Sequence, residues 1–235
     1  MRLDKFLVDC GVGSRTEVKQ LLKQKKIAVN GKKETAGKLQ IDPGKDRVTF
    51  MGEDLVHETF VYYLLNKPAG VISATEDDHH QTVLDLLDET ARHKEVFPVG
   101  RLDIDTHGLL LLTNNGKLAH AMLSPKKHVS KVYRAQVAGI MDEAGIALKD
   151  FTTLPARLQI LEVNEANASS YVEIEIAEGK FHQVKRMVAA CGKEVADLER
   201  ISMGPLTLDP SLKLGEWRRL QPSELVSLEV FGVPL

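Results

Sequence analysis

The stretch richest in potential chemistry is Phe97-Pro98-Val99-Gly100-Arg101-Leu102-Asp103-Ile104-Asp105-Thr106-His107-Gly108, which runs into the leucines Leu109 to Leu112. A turn with two glycines, one arginine and two aspartates stands before a run apolar enough for a buried strand. A loop on a rigid support can hold polar side chains in a reactive geometry. Residue types alone leave three uses open. Asp103 and Asp105 could form a D-x-D clamp that holds Mg²⁺ or Mn²⁺ against a nucleotide-sugar phosphate. A single aspartate could react, with Arg101 as an RNA contact. The aspartates could simply cap backbone amides of a turn. Asp77-Asp78-His79-His80 also offers metal-ligand residue types, but neighbours on one loop seldom converge on one ion, and a solvated loop accounts for them. Cys10 and Cys191 lie far apart without CxxC spacing, which argues against a cysteine metal site or a disulfide framework. Unbridged thiols suit a reducing cytoplasm.

The elements that must position these residues can be read from periodicity. Leu3, Phe6, Leu7 and Cys10 recur at helical spacing. After the breakers Gly11 and Gly13, Ser14-Arg15-Thr16-Glu17 is a capping box. It opens a second helix with Val18, Leu21 and Leu22 inward and Arg15, Lys19 and Lys23 outward. Ile27–Val29 enters an Asn30-Gly31 hairpin turn, and a further strand is expected around Val48–Phe50. Gly52, Glu53 and Asp54 read as a turn and linker, ending a small unit near residue 58. Downstream, Phe60–Leu65 reads as a strand stopped by Asn66-Lys67-Pro68-Ala69-Gly70, and Thr82 caps a helix burying Val83, Leu84, Leu86 and Leu87. Leu109–Thr113 is a strand buried on both faces. Asn114-Asn115-Gly116 turns it into a helix through Leu118, Ala121, Met122 and Leu123. Lys131–Val137, Leu158–Val163 and Tyr171–Ala177 read as strands, the last alternating by two so that one face is wet. His182–Cys191 is helical, closed by Gly192. Trp217 reads as packing. The expected fold class is α+β. A small helix-helix-hairpin domain (1–58) precedes a domain (59–235) with a mixed, largely antiparallel sheet and flanking helices.

Size and charge bound the partners. At 235 residues with 43% hydrophobic, the chain suits one medium domain with a small satellite. The N-terminus carries Arg2, Asp4, Lys5 and Asp9 with no apolar core behind them, unlike a signal peptide. No apolar run approaches the roughly 20 residues that span a bilayer. Net charge is −2, but residues 1–40 hold ten Lys/Arg against four acids, so this segment carries +6 and the remainder −8. A basic module on an acidic body is the footprint of a polyanion-binding protein; a merely solvated lysine-rich surface would look the same.

Four segments in order resemble one family. Gly100-Arg101-Leu102-Asp103-x-Asp105-Thr106-x-Gly108 and the leucines after it resemble the signature of the RsuA-type pseudouridine synthases. Leu65-Asn66-Lys67-Pro68-x-Gly70 resembles the family's first catalytic-domain motif. Lys131-Val132-Tyr133 resembles its lysine-x-tyrosine motif, and Glu178-Gly179-Lys180-Phe181-His182-Gln183-Val184-Lys185-Arg186-Met187 its last. The first 50 or so residues resemble the S-four-type RNA-binding fold that often precedes this catalytic domain. Two positions depart from the pattern. His107 stands where a small hydroxyl residue is usual, and Lys185 where arginine is common. An ammonium is a point charge and cannot make a bidentate fork.

The resemblance implies an enzyme that breaks the bond from ribose to uracil nitrogen, rotates the base and rejoins it through carbon, with no cofactor and no metal. Its catalytic aspartate falls on Asp103, its basic partner on Lys185 and its active-site tyrosine on Tyr133. Asp103 would act as a nucleophile or abstract a ribose proton, and an adjacent cation favours the ionised form it needs. Arg101 would contact RNA beside a flipped-out uridine, and Asp105 would shape the loop. Asn66, Lys67, Lys131, His182 and Gln183 are candidate substrate contacts in the motifs. Arg15, Lys19, Lys25 and Lys26, with Lys32 and Lys33, would grip phosphates. Lys126, Lys127, His128 and Arg134 make a second basic run beside Tyr133. The implied partner is ribosomal RNA or an assembling ribosomal subunit, acted on by a cytoplasmic monomer with no membrane association. The domain arrangement resembles most closely the branch that modifies small-subunit (16S) rRNA. Large-subunit (23S) siblings share all four motifs, and a non-catalytic ribosome-assembly factor is the remaining alternative.

Overall fold

The computed structural model describes residues 1–142, 153–154 and 156–235. The chain divides into two compact units, Met1–Val61 with Glu89–Glu95, and Tyr62–Asp88 with Val96–Leu235.

In the first unit, helices α1 (Leu3–Asp9) and α2 (Arg15–Lys23) precede strands β1 (Ile27–Val29), β2 (Lys32–Lys33), β3 (Val48–Phe50) and β4 (Glu53–Asp54); α3 (Glu89–His93) returns to it. The capping box forms as its residue types dictate. The Ser14 amide donates to the Glu17 carboxylate at 2.7 Å, and the Glu17 amide reaches the Ser14 hydroxyl at 3.4 Å. Leu3, Phe6, Leu7, Val18, Leu22, Ile27, Ile41 and Val48 form its core. Asn30 (φ +50°) and Gly31 (φ +79°) turn β1 into β2 with the left-handed backbone a tight hairpin needs. The expectation of a linker at Glu53-Asp54 is corrected. Met51 and Gly52 make a second left-handed turn, and β4 pairs antiparallel with β3, so these residues close the small sheet.

In the second unit, nine strands join in one sheet among the described residues. They are β5 (Tyr62–Lys67), β6 (Phe97–Pro98), β7 (His107–Thr113), β8 (Lys131–Ala138), β9 (Arg157–Asn164), β10 (Ser169–Ile176), β11 (Glu194–Met203), β12 (Leu206–Thr207) and β13 (Trp217–Arg219). The main order is β13-β5-β7-β11-β8-β10-β9, with β6 on β7 and β12 on β11. Only the β7–β11 pair is parallel among these pairings. Helices α4 (Gly116–Leu123), α5 (Gln183–Ala190) and α6 (Pro222–Leu228) flank it.

The apolar run Leu109–Leu112 is wholly buried in the middle of this sheet, between β5 and β11. Gly108 makes the β7–β11 approach possible. A Cβ there would lie 2.4 Å from the Arg200 carbonyl oxygen, and its φ is +102°. Strand β5 runs two residues beyond the expected stop, pairing Asn66 with Leu109 and Lys67 with Gly108 before Pro68, which has no amide to donate, ends it. The helix expected after Thr82 is instead a single 3₁₀ turn, Val83–Leu86, with the Thr82 amide and hydroxyl both donating to Asp85. Alternation in β10 holds: Val172, Ile174 and Ile176 are buried and the residues between them are partly exposed. Trp217 packs, as expected, edge-on against Tyr63, and its indole donates to the Leu86 carbonyl at 2.9 Å.

Candidate active site

Asp103 sits in the loop between β6 and β7, and that loop is clamped from beneath. Lys67, at the end of β5, is fully buried. Its ammonium donates to the carbonyls of Thr106 (2.9 Å), Pro68 (3.0 Å) and Asp103 (3.2 Å), with Ile104 at 3.5 Å. Ser73 accepts from the Leu102 amide and donates to the Leu102 carbonyl, both at 3.0 Å. The Gly70 amide donates to the Ile104 carbonyl at 2.7 Å. The backbone of the loop is thus fixed by β5 and the turn after it, which leaves the Asp103 carboxylate free to face outward.

Helix α5 supplies the cation. Lys185 places its ammonium 3.3 Å from Asp103 Oδ2 and 2.5 Å from Asp105 Oδ1. Its hydrogen bond holds the Asp105 carboxyl below the usual carboxylate range. The D-x-D pair is therefore bridged by an ammonium, and among the described residues no group of three His, Cys, Asp or Glu gathers in a metal-holding arrangement. His182, at the start of α5 with φ +48°, brings Nε2 to 3.4 Å from Asp103 Oδ1. The Asp103 side chain remains 29% exposed, open enough for a substrate to reach.

Strand β8 contributes Lys131 and Tyr133, two residues apart and both on its buried face. Strand β11 pairs Arg200 directly opposite Tyr133. Arg101, Asp103, Lys131, Tyr133, His182 and Arg200 line one cleft of about 880 Å³. A smaller pocket of about 80 Å³ joins Asp103 and Tyr133 to Lys185 and Gln183.

The expected site residues thus separate by position. Asp103, Tyr133 and Lys185 come together, and Arg101 and His182 stand exposed around them. Lys131 reaches the cleft but is buried, which pushes its amine down to about 8 with a contribution from the charge of Arg200. Asn66 and Lys67 do not line the cleft. Asn66 is buried and donates to the Leu212 carbonyl at 2.8 Å, and Lys67 holds the loop from below. Gln183 is buried as well. It accepts from the Lys180 amide at 3.0 Å and donates to Glu178 at 2.9 Å, which fixes the turn that carries His182. Arg15, Lys19, Lys25 and Lys26 are exposed on the first unit.

His107, the departure from the motif, has a definite role. Its Nε2 lies 3.0 Å from both oxygens of Asp197, which ties the end of the loop to β11. Asp77 accepts from the amides of His79 and His80, so the acidic-histidine cluster is a capped turn. Sequence reasoning missed Ser73 and Arg200. Arg200 lies in β11, whose alternation is too irregular to read, with two register shifts against β8.

A mixed sheet that holds an outward aspartate against a lysine, beside a tyrosine, in a chain that also carries an N-terminal basic unit, is the frame of an RNA-modifying enzyme. Two family models match the chain: RNA pseudouridylate synthase over residues 61–190 and the S4 domain over residues 1–46. The chain belongs to the RNA pseudouridylate synthase family, in its RsuA-type branch. It is 46% identical to an uncharacterized RNA pseudouridine synthase, YtzG, of Bacillus subtilis (strain 168), over 96% of this chain and 97% of the relative. It is 38% identical to ribosomal large subunit pseudouridine synthase B of the same organism, over 98% and 96%. To ribosomal small subunit pseudouridine synthase A of Yersinia pestis it is 37% identical, over 97% and 98%. A crystal structure of a pseudouridylate synthase matches with a TM-score of 0.64 at 35% identity, covering 97% of this chain and 99% of that one.

Proposed function

We propose that this RNA pseudouridine synthase uses Asp103 as its catalytic carboxylate on one uridine of small-subunit (16S) ribosomal RNA. The observation that carries the assignment of Asp103 is geometric. Of the two loop aspartates, it alone lines the cleft with Tyr133 while an ammonium stands 3.3 Å from its carboxylate. Either nucleophilic attack or removal of a ribose proton requires a carboxylate, and the Lys185 ammonium is placed to pair with it. Tyr133 stacks on the everted uracil. Arg101, exposed at the cleft, contacts the RNA beside it and offsets part of the few kcal/mol that base eversion costs. His182 contacts the target nucleotide next to Asp103. Asn66, Lys67 and Gln183 act indirectly, by holding the two loops that frame the cleft. Arg15, Lys19, Lys25 and Lys26 bind phosphates, which position the RNA without choosing a base. The reaction conserves atoms and electrons and needs no cofactor. The enzyme acts as a cytoplasmic monomer.

The choice of small-subunit RNA is supported by relatives named small subunit pseudouridine synthase A that match along nearly their whole length. A second reading, large-subunit (23S) rRNA, is favoured by the 38% identical large-subunit relative. Mapping pseudouridines in both ribosomal RNAs, with and without the gene, decides between them. Asp103→Asn is expected to abolish pseudouridine formation while RNA binding survives; full activity in that variant would refute the assignment.

A further inference from the structure

Two buried cations at the floor of the cleft lack the partners that buried charges normally have. Arg200 is only 2% exposed. Its Nε donates to the Leu109 carbonyl at 2.9 Å, but its Nη2 is sealed from solvent with no hydrogen-bond partner among the described residues. Lys131 is 8% exposed, and the one hydrogen bond of its ammonium goes to the Val129 carbonyl at 2.9 Å. The two disfavour each other electrostatically. Burial of a guanidinium nitrogen without a partner is costly and rare. An acceptor carrying negative charge, brought by the substrate into the cleft that both residues line, would give the Lys131 ammonium a partner directly and the sealed Arg200 Nη2 one once its guanidinium turns toward the cleft.

Pseudouridine formation creates such an acceptor. The C1′–N1 bond breaks with its electron pair passing to the base, so uracil departs as an anion whose charge is spread over N1 and the carbonyl oxygens. The C1′–C5 bond then forms, the proton on C5 is lost, and N1 is reprotonated. The geometry points to Lys131 and Arg200 as the groups that stabilise this uracil anion while it is detached from the sugar and turning. The inference rests on the assignment of the reaction above and adds two catalytic residues to it. Register supports the placement. Arg200 stands opposite Tyr133 on the neighbouring strand, and Lys131 lies two residues before Tyr133 on the same face. Both cations therefore spring from backbone positions next to Tyr133, on whose ring the uracil stacks. Prepositioned donors aimed at charge that develops only during reaction act on the rate more than on binding.

The other charged groups of this cleft come from three loops. Arg101 and Asp103 lie on the catalytic loop, Lys180 and His182 on the turn before α5, and Asp77 and His80 on the capped turn. Among the described residues Asp103 is the one of these acids held by a cation of α5, and neither Asp77 nor Asp103 is ion-paired with Lys131 or Arg200.

The test is a leaving-group comparison in single turnover. A model RNA carries either uridine or 5-fluorouridine at the target position, and consumption of the target nucleoside is followed. Fluorine makes the base a better leaving group, so an enzyme that has lost its anion stabiliser should be rescued by it. Lys131→Met is expected to slow the uridine substrate by about 100-fold, the order of one lost oxyanion donor, and the fluorinated substrate by well under 10-fold. RNA affinity should be unchanged. Lys131→Arg should restore most of the rate and remove any alkaline decline that the wild type shows as its amine, pushed down to about 8 by burial, loses its proton. Arg200→Lys should show the same preference for the fluorinated substrate; circular dichroism and a thermal melt establish that each variant is folded. Equal slowing of both substrates in folded Lys131→Met overturns the inference, since a structural defect would not distinguish the two leaving groups. If the wild type itself forms no pseudouridine, the assigned reaction fails instead.

Discussion

Lys67 offers a perturbation in which stability and activity should separate. Replacing it with methionine keeps the length and removes the ammonium beneath the catalytic loop. Three of its hydrogen bonds are 3.2 Å or shorter and come from a charged donor. At about 1.5 kcal/mol each, their loss is worth roughly 4 kcal/mol. Against this stands the burial of the charge. Moving an amine from 10.5 to about 8 corresponds to roughly 3 kcal/mol against the protonated form. The two nearly offset, so Lys67→Met should lower stability by only about 1 kcal/mol at pH 7. The pH dependence has a definite sign. Between pH 8 and 10.5 the unfolded chain holds a proton on Lys67 that the folded protein has released, so wild-type stability rises with pH through this window. The variant should rise less steeply, keeping only the Lys131 contribution of the same sign. The carbonyls of Asp103 and Thr106 lose their shared donor, and the loop should wander from its reactive geometry. A misplacement on the order of 1 Å is enough to cost about 100-fold in rate. Urea melts at pH 7 and 9.5, single-turnover rates and RNA-binding isotherms make the measurement. A loss beyond about 4 kcal/mol, an unchanged pH slope, or an undiminished rate would refute the reasoning.

Other perturbations follow from the same geometry. Gly108→Ala would drive a Cβ to within 2.4 Å of the Arg200 carbonyl oxygen at a φ of +102°, so the β7–β11 pairing should break and thermal melts should show a loss of about 3 kcal/mol or an unfolded chain. Lys185→Met should reduce the single-turnover rate by about 100-fold, whereas Asp105→Asn, which leaves Lys185 to Asp103 alone, should reduce it by under 10-fold; the reverse ranking would make Asp105 the reacting group. Changing Arg15, Lys19, Lys25 and Lys26 together to glutamine should weaken RNA binding uniformly across sequences and flatten the dependence of log Kd on log salt by up to four phosphate contacts' worth, about 0.7 to 0.9 per contact.

Local physics made much of this protein legible before any fold was known. Ser14 and Glu17 specify a helix start because their side chains satisfy amides within four residues of chain. Asn30-Gly31 specifies a hairpin because only such residues adopt its backbone cheaply. Val172, Ile174 and Ile176 specify a strand with one dry face, because strand side chains alternate. The motif around Asp103 was legible for the same reason, as a short run whose residue types are unusual together. What stayed hidden depended on partners distant in sequence. Lys67 reads as a basic residue suited to touching RNA, and only the β5–β7 register turns it under the loop, where carbonyls up to 39 residues away in sequence accept its hydrogen bonds. Arg200 reads as one more surface charge in a polar stretch. The tight parallel approach at Gly108 buries it at the cleft, since no local pattern records which strand a charge will lie beside. The sequence by itself determined the elements and the set of reactive residue types; the tertiary structure decided which of those charges face the substrate and which hold the scaffold, because burial belongs to the packed sheet and not to any segment of the chain.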